Sequence, residues 1–217
     1  MKKIVYCLAF IVGILALIGS CAKKDDESST AAATAFTPTT TASGSITVGS
    51  ATMSGTYASD CNDLTGSSAI GNYVPSDVLA NRDVLVVTGS DNVSEEMYLY
   101  TDTSCTNLSG YLKDGNDNFT VGDASGSNYK VTYVEATFSV TAVTSTAESF
   151  YESNFSTNNI TNQGTAIDLV VDTEYSMSSN GNLYMNLYSV TSTQVQTGDD
   201  STSSQPTEMD SLEMAKQ

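Results

Sequence analysis

The sequence predicts an all-β domain, an antiparallel up-and-down barrel of about 8–10 strands or else a β-sandwich. Three observations carry this. Residues 45–197 are rich in Thr, Val and Tyr, which suit a pleated, half-buried surface. Gly, Asn and Asp break the chain at short intervals, as turns require. Helical periodicity is almost absent, whereas period-two alternation recurs. About 150 residues is a sufficient length for one such domain with a real core.

The strands read in order as 44–48, 51–59, 83–89, 95–101, 109–113, 118–121 and 129–143. In the last of these Tyr129, Val131 and Tyr133 are followed by Ala136, Phe138, Val140 and Ala142. That parity change predicts a bulge near Val134. Residues 147–155 form the one plausible helix. Over 167–177, Ile167, Leu169, Val171, Tyr175 and Met177 share one face, and Asp168, Asp172, Glu174 and Ser176 share the other. Asn180-Gly181 then reads as a type I′ hairpin turn. The return strand is 183–190, with Leu183, Met185 and Leu187 on its apolar face.

The flanks read differently. Met1-Lys2-Lys3 is followed by an uncharged apolar run from Ile4 to Ile18. This is the layout of a secretory signal, and it is too short to span a bilayer comfortably. It ends in Leu17-Ile18-Gly19-Ser20-Cys21, which resembles the lipobox of bacterial lipoproteins. The resemblance implies a signal peptide over 1–20, cleavage before Cys21, and acyl chains such as palmitate on that residue. Two or more chains anchor a protein stably. Ala22 after the cysteine favours the outer membrane, at its periplasmic face or at the cell surface. Lys23-Lys24-Asp25-Asp26-Glu27 reads as a solvated charge cluster, and it also resembles a surface-export signal. Residues 21–44 have few large apolar side chains and read as a flexible tether, and 198–217 as a disordered tail.

Four cysteines are present. Cys7 leaves with the signal peptide and Cys21 carries lipid. The remaining two, Cys61 and Cys105, are expected to pair in an oxidising compartment.

Composition excludes several functions. The chain has no His, so it has no Ser-His-Asp triad, Cys-His dyad or His-ligated metal. Eight basic residues against 25 acidic ones leave no patch to neutralise phosphates, which argues against nucleic acid. Within 45–197 only Arg82, Lys113 and Lys130 are basic. The acids of this domain are expected on turns and outer faces, where they give solubility.

Gly55-Thr56-Tyr57-Ala58-Ser59-Asp60-Cys61, followed by Tyr100-Thr101-Asp102-Thr103-Ser104-Cys105, resembles lipocalin-like (calycin) barrel domains of secreted proteins and bacterial lipoproteins. The resemblance covers about 55–188 and marks Gly55, Tyr57, Ser59 and Asp102 as barrel-motif residues. It implies an interior that holds a small apolar ligand. Two departures stand out. Lipocalins have Trp where Tyr57 stands, packed against an Arg from a late strand, and the one Arg here, Arg82, is not late.

The remaining candidates are weaker. Asp114, Asn116 and Asn118 have the alternating spacing of a calcium loop. The pattern fails at Phe119, and the segment reads more simply as a polar hairpin loop. Asp168, Asp172 and Glu174 have the spacing of paired catalytic carboxylates but read as a solvated strand face. No Ser sits in a nucleophile elbow. Tyr98, Tyr100, Tyr111, Tyr129, Tyr133, Tyr184 and Tyr188 fall on predicted strands, where they pack a core or line a cavity. The expected protein is a membrane-anchored envelope lipoprotein that is not an enzyme and needs no cofactor. Its partner is a small apolar ligand, or, as the alternative, a protein or glycan met through a sheet face or loops.

Overall fold

A computed structural model describes residues 36–155, 166–179 and 181–217. The expected signal peptide and Cys21 lie outside these residues. The described strands are β1 (Ile46–Val48), β2 (Ala51–Met53), β3 (Thr56–Ala58), β4 (Asn62–Asp63), β5 (Ala80–Val87), β6 (Val93–Tyr100), β7 (Leu108–Ser125), β8 (Asn128–Ala142), β9 (Tyr175–Ser178), β10 (Leu183–Val190), β11 (Gln194–Gly198) and β12 (Met209–Lys216). One helix, α1 (Ser145–Asn154), follows β8.

Eight strands close a barrel in the order β3-β5-β6-β7-β8-β10-β11-β12, with β12 returning to β3. Every pairing is antiparallel, and ring neighbours follow chain order. The closed ring excludes the sandwich. Closure leaves no open edge for unwanted pairing.

The closing strand corrects the disordered-tail expectation for 198–217. Residues 209–216 alternate: Leu212 and Met214 turn to the interior, and Glu213 faces water. Val195 pairs with Met214, and Ala215 pairs with Ala58. Without this segment β3 and β11 would each leave a row of backbone donors and acceptors unpaired, which outweighs the modest apolar content of the segment.

The expected hairpin at Asn180-Gly181 is also corrected. Asn180 itself lies outside the described residues. Strands β9 and β10 do not pair with each other. Both lie antiparallel along the same edge of β8, β9 against 137–140 and β10 against 129–134. Between the two strands, the Glu135 N–H donates to the Asn182 carbonyl. The bulge expected near Val134 falls at Ala136, where the β7–β8 register skips one residue. Long-range pairing overrides the local turn signal here, because β8 offers a fifteen-residue edge to be filled.

Three further boundaries shift. Strand β7 runs unbroken over 18 residues, so 109–113 and 118–121 are one strand with bulges and no hairpin loop between them. Of 167–177 only the end is strand; Ile167 and Leu169 instead bury their side chains in the core at one barrel end. In β10 the inward residues are Tyr184, Asn186 and Tyr188, while Leu183 is exposed. The ordered chain also begins before 44. Phe36 packs edge-on against Tyr98, the Thr39 N–H donates to Tyr98 Oη at 2.9 Å, and the Ser43 N–H donates to the Val87 carbonyl. Residues 36–43 thus cover the outer face of β5 and β6.

The barrel has two apolar ends. One is sealed by β1 and β2 over Tyr57, Leu85, Val87, Phe119 and Tyr133. The other is sealed by α1 and the 167–169 segment over Leu99, Leu112, Phe138 and Val140. Helix α1 starts where Thr144 accepts from the Ala147 N–H, and it buries Ala147 and Tyr151.

Candidate functional site

Between the two apolar ends the inward faces turn acidic. On β6 the inward residues run Val93, Glu95, Met97, Leu99. On β7 they run Leu112, Asp114, Asn116. On β8 Glu135 lies between Tyr133 and Phe138, and on β5 Asp83 precedes Leu85 and Val87. Glu95 stands directly opposite Asp114, and Asn116 directly opposite Glu135. Directly opposed like charges on neighbouring strands are destabilising on their own. Asp200, from the β11–β12 connection, and Asp210 complete the layer. The expectation that the acids lie on turns and outer faces is therefore corrected for this group.

These side chains line an internal cavity of about 80 Å³. Seven of the eight barrel strands contribute, all but β3. The volume exceeds what one water needs. It falls well short of the roughly 300–1,000 Å³ of sites for drug-sized ligands.

The hydrogen bonds that reach the carboxylates come from neutral donors. Tyr188 Oη donates to Glu95 Oε1 at 2.8 Å, and Asn116 Nδ2 donates to Glu95 Oε2 at 3.3 Å. Tyr133 Oη donates to Asp200 Oδ2 at 3.2 Å, and Tyr184 Oη to Glu135 Oε2 at 3.4 Å. Asn81 Nδ2 donates to Asp83 Oδ2 at 2.8 Å. Asp83 Oδ1 and Asp114 Oδ1 are buried and accept no hydrogen bond. None of the cavity-lining residues is basic. Lys113 pairs with Glu174 at 2.7 Å, Arg82 lies over the Phe36 ring, and Lys130 is exposed.

Protonation follows from this environment. Burial raises Asp83 to about 7, with Asp210 and Glu95 adding to it and the Asn81 hydrogen bond opposing. Burial, reinforced by Glu95, raises Asp200 to about 7 as well. Burial also raises Glu95, against its Tyr188 and Asn116 hydrogen bonds. Burial and the charges of Glu135, Glu95 and Asp200 push Asp114 well up.

The residues singled out from sequence divide into two groups. Cys61 and Cys105 form a disulfide with a Cα–Cα distance of 5.8 Å. The barrel-motif residues serve the frame around it. Gly55 takes φ +82° at the turn into β3, a backbone angle that side chains disfavour. Tyr57 is fully buried, and Lys216 of the last strand lies 5.8 Å from its ring centre. A late-strand cation is therefore present, as Lys instead of Arg. Ser59 Oγ accepts from the Asp83 N–H at 3.0 Å, tying the end of β3 to β5. Asp102 accepts from the N–H groups of Ser104, Thr106 and Asn107, and so shapes the turn that carries Cys105.

Of the calcium-spaced residues, Asp114 and Asn116 line the cavity on β7, whereas Asn118 is exposed at a bulge with φ +57°. The three therefore do not converge. Asp168 and Asp172 are exposed, as a solvated face requires. Of the strand tyrosines, Tyr133 and Tyr184 line the cavity and Tyr188 reaches Glu95. Glu95, Glu135 and Asp200 were not among the sequence candidates. The phase of the alternation carries the signal for Glu95, because it shares the parity of Val93, Met97 and Leu99.

No protein-family model matches the chain, and no curated protein is significantly similar to it.

Proposed function

We propose that this chain is a lipid-anchored protein of the bacterial outer membrane that carries a small ligand inside its barrel and catalyses no reaction. The observation that carries the reading is the cavity at mid-barrel, lined from seven strands and closed at both ends by apolar clusters. Closed antiparallel barrels of this size hold one small ligand where side chains do not fill them. The anchor rests on the Leu17-Ile18-Gly19-Ser20-Cys21 motif, and the absence of enzymatic chemistry on a sequence without His.

The cavity lining refines what the ligand is. A wholly apolar occupant would sit against Asp83 and Asp114 oxygens that lack donors, and desolvating them costs free energy. A compact polar ligand meets them better. The alternative, partner recognition through a bare sheet face, gains little support from β5 and β6, whose outer faces are covered by residues 36–43.

Two experiments test the proposal. Native mass spectrometry of protein purified from its own host is expected to show a one-to-one complex with a small molecule, and a wholly ligand-free population contradicts it. Cys21→Ala is expected to move the protein from the membrane to the soluble fraction, and unchanged partitioning contradicts the lipid anchor.

A further inference from the structure

The acidic layer has a feature that a merely structural polar network lacks. Buried networks are stable when every member is satisfied. Here Asp83 is only 7% exposed, lines the cavity, and has one carboxylate oxygen without any donor. Asp114 also lines the cavity and has a second such oxygen. Glu95 lies opposite Asp114, so two carboxyl groups face each other across neighbouring strands. No base among the lining residues offsets it.

We infer that the cavity is a binding site for a small organic cation, a primary amine or guanidinium compound, whose N–H groups meet Asp83, Asp114 and Glu95. This rests on the reading of the barrel as a ligand carrier and names the ligand's chemical class. The positive charge offsets the carboxylates in a low-dielectric interior, where pairing counts most. The N–H groups supply the missing donors. Tyr133 and Tyr184 put aromatic rings beside the same space, and a cation gains further from a ring face. Leu85, Met97 and Met214 offer apolar contact for a short carbon chain. A bare metal ion fits less well: among the described residues no three ligating side chains converge closely enough to hold one. The volume of about 80 Å³ sets the size at a few heavy atoms.

The test is calorimetric titration of the full chain in detergent at pH 8, read in parallel by tyrosine fluorescence, which no Trp obscures. The probes are 1,4-diaminobutane and agmatine as cations, 1,4-butanediol as the neutral isostere, N-phenyl-1-naphthylamine as an apolar probe, and calcium chloride. The inference expects saturable one-to-one binding of a cation and none of butanediol. Asp83→Asn is expected to weaken cation binding by about thirtyfold. Binding is also expected to weaken on going from pH 8 to pH 5, as Asp83, Glu95, Asp114 and Asp200, which share the cavity with Glu96, Glu135, Asp199 and Asp210, take up protons while Tyr133, Tyr184 and Tyr188 stay neutral throughout.

Asp83→Asn is also expected to melt at or above the wild-type temperature when no ligand is present, which separates lost binding from lost fold. If that variant does not fold, Glu95→Gln serves in its place. Binding of N-phenyl-1-naphthylamine without either cation overturns the inference and leaves the ligand-carrier reading standing. Tight calcium binding that Asp83→Asn abolishes, with no response to the amines, also overturns it in favour of a metal site. Cation binding unaffected by Asp83→Asn and by Glu95→Gln overturns it by placing the site elsewhere. No binding of any probe overturns it too, and the host-purified complex then decides the carrier reading separately.

Discussion

Asp83 shows how a single carboxyl couples fold and function. Its ordinary value is 3.8, and in the barrel burial raises it to about 7. Below pH 4 both the folded and unfolded chains hold this proton. Between pH 4 and 7 the unfolded chain loses it and the folded chain keeps it. Stability therefore falls as pH rises through that window, and the loss is complete above the folded value. A shift of this size corresponds to on the order of 4 kcal/mol for a group so deeply buried. Asp200 acts in the same direction. Asp102 acts oppositely, since hydrogen bonds from Ser104 and its neighbours lower it, but its stability is lost only at pH values below its ordinary 3.8. Urea unfolding of the ligand-free protein is thus expected to give a higher stability at pH 5 than at pH 8. Asp83→Asn is expected to remove much of that difference. A stability that rises from pH 5 to pH 8 would show that these carboxyls are not buried.

At the scale of elements, the turn at 102–107 explains why a short sequence motif was legible. The Asp102 carboxylate gathers three backbone N–H groups, and Cys105 then takes φ 54° facing Cys61. The clip closes a 44-residue span. Chain-entropy reasoning gives about 4 kcal/mol for that length. Replacing Cys61 and Cys105 together by Ser is expected to destabilise the domain by about that amount, measured by urea unfolding. Thiol labelling of the unfolded, unreduced wild type is expected to leave both cysteines unmodified; labelling of either would refute the bond. The central strands and α1 were legible for similar reasons, because local alternation and the Thr144 cap act within a few residues. The Asn180-Gly181 turn was misread because turn propensity is local, whereas the edge of β8 that captures β9 and β10 is formed by residues 35 to 59 positions away.

For the whole molecule, closure is the decisive event, and it depends on the segment that looks least like structure. Strand β12 carries only two apolar side chains, Leu212 and Met214, into the interior beside Asp210, too little for composition to reveal, yet it joins β11 to β3. Deleting 209–217 is expected to abolish cooperative unfolding, and a deletion variant that melts like the full chain would contradict closure by β12. The acidic layer was hidden for a related reason. Each of Asp83, Glu95, Asp114 and Glu135 looks like an ordinary polar residue on its own strand, and only the barrel places the four around one cavity. Glu95 and Asp83 share the parity of their apolar neighbours, but buried carboxylates are uncommon enough that solvent is the default expectation, which puts the acids on turns and outer faces. The barrel that results holds a layer of carboxyl groups between apolar clusters at its two ends. Carboxyl-carbon NMR titration of the ligand-free protein, labelled at Asp and Glu, tests this most directly. The barrel described here predicts that Asp83 and Asp200 titrate near 7 and that adding 1,4-diaminobutane moves their midpoints downward. Titration of every carboxyl in the ordinary range near 4, unchanged by the diamine, would contradict it.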